Sequence, residues 1–220
     1  MPAIGAKAVN RRSAVLGCWR EVLFWMLLLP AFSALSSTAP RRQAAGLLEV
    51  CGFSLVAISS LGRLRNVGLE FVAWERISWR TTVRCVLWGI SAGAGAVIVS
   101  KFSHQPIGLT LDWNKAMLIV LLGPFLEEII FRGYVLTLLL YVTKRATLPF
   151  ARLAAVIAAA VIFAAAHVGN AGMTWLQLGC IAATGCLYGA LRTKYRSTAA
   201  AVLTHSTYNL ALCLSSWLGT

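Results

Sequence analysis

The chain has 220 residues, 59% of them hydrophobic and 12% charged, with a mean hydropathy of +0.75. Soluble domains run nearer to about 45–50% apolar and about 25% charged, so this composition excludes a water-soluble fold and makes lipid the solvent of a single helical domain. The formal charge of +13 does not imply nucleic acid. The basic residues sit in short connections between apolar segments, as the positive-inside bias of membrane proteins requires, and there they meet anionic lipid headgroups.

In chain order, Lys7, Arg11 and Arg12 precede the first apolar run in the manner of a signal peptide. Arg20 and Glu21 interrupt that run and no small-residue cleavage site stands out, so a retained span is expected over 13–35. Further spans of the required length, about 20 residues, are expected over 44–61, 85–102, 116–142, 152–168, 173–191 and 197–217. Residues 62–84 are polar, with Trp74 and Trp79 among the charges, and read as an interfacial amphipathic segment. The fourth span contains Gly123-Pro124, where a kink is expected.

The expected fold is therefore an all-α, polytopic bundle of about seven spans, N-in and C-out. That orientation places Lys7, Arg11, Arg12, Arg63, Arg65, Arg76, Arg80, Arg84, Lys144, Arg145, Arg152, Arg192, Lys194 and Arg196 inside, and only Arg41, Arg42, Lys101 and Lys115 outside. Residues 1–115 form an N-terminal region of three spans plus the basic segment, and 116–217 the chemistry-bearing region. The cysteines at 18, 51, 85, 180, 186 and 213 lack a CxxC pair or metal-type spacing and read as small packing residues.

Charged side chains in hydrocarbon cost about 2.5–3.5 kcal/mol each and persist where they pair or work. The fourth span carries Glu127, Glu128 and Arg132, the fifth ends in His167, and the seventh carries His205 and Asn209. Glu128 and Arg132 are four apart and share a helix face, so an ion pair is expected. Glu127 lies about 100° round the helix and points toward the helices bearing His167 and His205. His205 and Asn209 are again four apart. A carboxylate, two imidazoles and an amide suit peptide hydrolysis: Glu127 and one histidine deprotonate water, while the other histidine and Asn209 hydrogen-bond the oxyanion. The alternative is a metal centre with Glu127, His167 and His205 as three ligands and water as the fourth.

In order, Glu127-Glu128-x-x-x-Arg132, Phe163-x-x-x-His167 and His205-x-x-x-Asn209 resemble the CPBP family, the CAAX proteases and bacteriocin-processing proteins also called Abi. The likeness covers about residues 116–217. It implies an intramembrane endopeptidase of the cell membrane, a multi-pass protein of the bacterial inner membrane, acting on a membrane-embedded or membrane-associated peptide or protein. By position, Glu127 and His167 would activate water, His205 and Asn209 would form the oxyanion hole, and Glu128 and Arg132 would support the site. The family has been described both as glutamic and as metallo-type. The chain has no His-Glu-x-x-His motif, and the reading favours a metal-free glutamate mechanism over zinc.

Three other readings compete. Gly89-x-Ser91-x-Gly93 matches the serine-hydrolase signature, but a strand-to-helix elbow is not available in a membrane helix, and the run reads as packing. A non-catalytic membrane scaffold or bacteriocin-immunity protein would keep the fold without its chemistry. A transporter would use buried Glu and His as a proton relay.

Overall fold

The computed structural model describes residues 75–105, 118–168 and 173–218, together with Cys51, Gly52, Ser54, Leu55, Ile58, Ser59 and Ala116. The span expected over 13–35, most of that over 44–61, and the interfacial segment up to residue 74 lie outside the described residues. Among the described residues the protein is all-helical.

Helix α1 runs Trp79–Ser103, beginning six residues before the span expected at 85. Ser78 caps it, its hydroxyl accepting the Thr81 N–H at 3.3 Å. Arg80 and Arg84, four apart, lie on the exposed face, so the helix runs through the basic stretch without burying charge. The fourth expected span is one continuous helical run in four parts: a π-helical turn π1 (Leu118–Leu122), α2 (Gly123–Glu128), a second π-helical stretch π2 (Ile129–Val135) and α3 (Leu136–Arg145). Helices α4 (Ala151–Ala165), α5 (Trp175–Tyr195) and α6 (Thr198–Trp217) complete the bundle. Thr174 and Gln177 form a reciprocal capping box that starts α5.

Among the described residues one helix, Trp79–Ser103, is long and apolar enough to cross a membrane, and Ala151–Ala165 is apolar but shorter. Their faces are two-sided in an inverted sense. On α4, Ala155, Val156, Ala159, Ala160 and Phe163 are buried, while the large apolar Leu153, Ile157 and Val161, spaced by four, are exposed. On α1 the exposed face carries Leu87, Trp88, Ile90, Ile98 and Val99. Small residues inside and large apolar residues outside suit a lipid solvent, where close backbone approach rather than water exclusion holds helices together.

Close approach is what builds the bundle. Gly89 and Gly93 of α1 face α6: a Cβ on Gly89 would stand 2.5 Å from the Thr204 carbonyl oxygen, and one on Gly93 2.6 Å from the Ala211 Cβ. Ser91, between them, is exposed, so Gly-x-Ser-x-Gly is here a packing stripe with its serine on the opposite side. Helix α6 also packs on π1 and α2, and α4 packs between α3 and α5. Tyr188, Ala201, Tyr208, Leu212 and Ala96 close one apolar core; Leu136, Ala155, Val156 and Ala159 close another.

Candidate active site

The site begins with a local defect in the fourth expected span. In π winding the carbonyl of residue i accepts from the N–H of residue i+5, and for Ile119 that residue is Pro124, which has no N–H. The freed Ile119 carbonyl accepts instead from the Asn209 side-chain amide at 2.8 Å. The predicted kink thus takes the form of a π turn, and Asn209 of α6 is held against it. The same helix returns to π winding directly after Glu127 and Glu128. Such segments occur mostly as single-turn bulges inside α-helices, frequently at functional sites.

Glu128 and Arg132 are both fully buried, and Arg132 Nη1 donates to Glu128 Oε1 at 3.0 Å. The same carboxylate oxygen accepts from His205 Nδ1 at 2.9 Å, while Glu128 Oε2 has no hydrogen-bond partner. Arg132 Nη2 donates to the Gly185 carbonyl at 3.0 Å. The guanidinium lies 4.3 Å from the Phe163 ring centroid and 5.2 Å from that of Tyr188. Arg132, Glu128 and His205 form one hydrogen-bonded chain from three helical segments. Because the carboxylate is an acceptor, His205 Nδ1 carries the proton, and in the neutral ring Nε2 has the lone pair.

That Nε2 faces Glu127, whose Oε2 lies 4.0 Å away, beyond direct hydrogen-bonding distance. The Glu127 side chain is 22% exposed, against 0% for Glu128. The two adjacent carboxylates therefore occupy different environments, one locked in the core and one open to whatever enters the site.

His167 sits in the turn just after α4, which ends at Ala165. Its backbone N–H bonds to Ala164 O at 3.0 Å, leaving the Phe163 carbonyl without its helical donor. His167 Nδ1 takes that role at 2.8 Å. A carbonyl only accepts, so Nδ1 bears the proton and Nε2 of the neutral ring keeps its lone pair. The ring stands edge-on to Phe163 at 4.8 Å. Residues 169–172 lie outside the described residues.

Two placements differ from the sequence expectation. His205 binds Glu128 directly and meets Glu127 only at 4.0 Å, and no ion pair within 4.0 Å joins Glu127 to His167 among the described residues. Asn209 spends one amide N–H on Ile119, leaving a single N–H for any oxyanion. Nor do Glu127, His167 and His205 converge as a metal-ligating trio: among the described residues no group of three His, Cys, Asp or Glu side chains does so in this conformation.

Sequence reasoning missed the contribution of α5. Gly185 lets Arg132 reach its carbonyl: a Cβ there would lie 3.2 Å from both Arg132 Nη2 and Ala160 Cβ. Tyr188, 1% exposed, stacks on His205 with centroids 4.6 Å apart and planes 19° from parallel. The only signal in the sequence was the Gly185-x-x-x-Gly189 spacing, which marks close helix approach and names no partner.

Residues 110–211 match the family model described as type II CAAX prenyl endopeptidase Rce1-like, a range that includes all six side chains from Glu127 to Asn209. No curated protein and no solved structure matches the chain.

Proposed function

We propose that this chain, whose residues 110–211 match the type II CAAX prenyl endopeptidase Rce1-like family model, is a multi-pass intramembrane endopeptidase in which Glu127 activates water. The match supports a protease of a membrane-associated family. The observation that carries the reading is the division of labour between neighbouring carboxylates. Glu128 is fully buried, tied to Arg132 and to His205 Nδ1, while Glu127 is partly open and faces the opposite ring nitrogen of that histidine.

In this mechanism Glu127 removes a proton from a water positioned between it and the substrate carbonyl, as a general base within reach of one bridging molecule does. The hydroxide adds to the carbonyl carbon. His205, held with Nδ1–H on Glu128, enters the step as the imidazolium, and its Nε2–H and the second N–H of Asn209 donate to the oxyanion. Collapse of the tetrahedral intermediate breaks the C–N bond, and the proton held by Glu127 passes to the leaving amine. His167, its Nδ1–H fixed on Phe163, offers Nε2 as a second proton acceptor at the edge of the site. Glu128 and Arg132 hold the His205 tautomer and touch no substrate. The substrate class is a membrane-embedded or membrane-associated peptide, and the site is reached from within the bilayer.

The test uses the full chain in proteoliposomes with two internally quenched peptides, one farnesylated and ending in Cys-aliphatic-aliphatic-X, the other an unprenylated apolar counterpart. Wild type is expected to cleave at least one, and Glu127→Gln neither. Cleavage by Glu127→Gln at the wild-type rate would overturn the assignment. Cleavage of the farnesylated peptide alone assigns the prenyl-protein class; equal cleavage of both assigns general processing of apolar peptides.

A further inference from the structure

The motif residues come from the helical run 118–145, from α4 and its following turn, and from α6. Helix α5 contributes no carboxylate or imidazole, yet it supplies the broadest contact made by His205. Tyr188 is one of the largest fully buried side chains of the protein. Its ring lies nearly parallel to the His205 imidazole at 4.6 Å, and it also meets Tyr208, in a T-shaped contact at 6.4 Å, and the Arg132 guanidinium. No hydrogen bond of acceptable geometry reaches its hydroxyl. The neighbouring Thr184 hydroxyl donates to the Cys180 and Ile181 carbonyls, at 2.9 and 3.2 Å, and its oxygen remains an acceptor beside the Tyr188 hydroxyl. What Tyr188 offers His205 is its ring face.

An imidazole tethered at Cβ and hydrogen-bonded at Nδ1 can still tilt through small coupled changes in χ1 and χ2. What fixes the plane, and so the direction of Nε2, is the surface on which the ring lies. Phe163 meets it only in a T-shaped contact at 5.9 Å, which constrains the ring far less than a stacked face does.

We infer that Tyr188 is a positioning residue for the proposed reaction: its ring fixes the plane of His205 so that Nε2 points at the site opened by Glu127. The inference rests on the peptidase reading for its catalytic consequence, and on the stacking geometry alone for its structural one. An off-plane imidazole leaves substrate binding untouched and misplaces a donor in the transition state. The loss therefore falls on kcat and not on KM, and misplacement of about 1 Å costs on the order of a hundredfold.

The experiment combines two readouts on the full chain in detergent micelles. The chain has three histidines, so labelling with [13Cε1]-histidine gives a countable spectrum in which the His205 resonance is identified by its loss in His205→Gln. Stacking under the Tyr188 ring places the His205 Cε1–H signal upfield of its position in a variant without that ring. Cleavage of the quenched peptides is measured in parallel. Tyr188→Leu and Tyr188→Met, which fill the space without a ring, are expected to abolish the upfield shift, leave the other two histidine signals in place, and lower kcat about 10- to 100-fold at a nearly constant KM. Tyr188→Phe is expected to recover both the shift and the rate.

A wild-type kcat in Tyr188→Leu and Tyr188→Met beside an inactive Glu127→Gln overturns this inference and leaves the peptidase reading standing. Full activity in Glu127→Gln sinks that reading and the catalytic half of this inference with it. Should the ring-less variants fail to fold, Tyr188→Phe decides alone. Damage there equal to that of Glu127→Gln would mean that the hydroxyl acts and the ring face does not.

Discussion

Replacing Glu128 by Gln isolates what its charge does, because the amide is nearly isosteric and keeps one acceptor oxygen. In the native protein one fully buried oxygen takes both Arg132 Nη1 at 3.0 Å and His205 Nδ1 at 2.9 Å. Taking the acceptor's charge from both hydrogen bonds weakens each by about 1 kcal/mol. The larger cost is the arginine left behind. Arg132 is fully buried, and its remaining contacts are a carbonyl and two ring faces, each cation–π contact contributing roughly 0.5–2 kcal/mol. Removing one partner of a buried pair costs about 3–5 kcal/mol, whereas replacing both by apolar groups is often near neutral. Glu128→Gln and Arg132→Met are therefore each expected to lose about 3–5 kcal/mol, and the double variant less than either single one. Steric-trap unfolding in bicelles measures all four corners of this cycle. The double variant is expected to regain stability without regaining cleavage, because the carboxylate that fixes the His205 tautomer is still gone. A double variant costing the sum of the two single losses would refute the claim that Glu128 and Arg132 act as one buried unit.

The remaining expectations use the same unfolding and cleavage assays. Glu127→Gln lowers kcat by roughly 10²–10⁴-fold and changes stability by less than about 1 kcal/mol, since its partly exposed carboxylate has only the 4.0 Å approach to His205. Asn209→Ala orphans the Ile119 carbonyl and costs about 1–3 kcal/mol; adding Pro124→Ala, which restores a backbone N–H, recovers part of that stability. Ser91→Ala leaves activity intact, and a dead Ser91→Ala enzyme would revive the serine reading. Gly89→Ala forces α1 away from α6 and costs about 1–3 kcal/mol, while Gly95→Ala, which meets nothing within 4 Å, is neutral or stabilising by up to about 1 kcal/mol.

What the sequence determined by itself was whatever depends on local spacing or on solvent. Apolar run length placed the ends of the described helices to within four residues, except that α1 begins six residues early, because a segment surrounded by lipid must satisfy its backbone internally. The four-residue spacing of Glu128 and Arg132 foretold their ion pair, and Gly123-Pro124 marked the defect beside them. The positions of His167 and Asn209 were legible as costly polar residues, but their partners were not. Each satisfies a carbonyl freed by a helix break, Phe163 and Ile119 respectively, and no pattern in the sequence says which carbonyl a break will orphan.

Only the tertiary structure decided which of two adjacent carboxylates receives His205. Glu127 and Glu128 are chemically identical and one residue apart, so the choice depends on how the π-wound helix is rotated against α6, a relation between segments far apart in the chain. The roles of Gly185 and Tyr188 were invisible for the same reason. A glycine acts here by the space it leaves for Arg132 and a tyrosine by the flat face it offers His205, and neither property exists until the helices are packed.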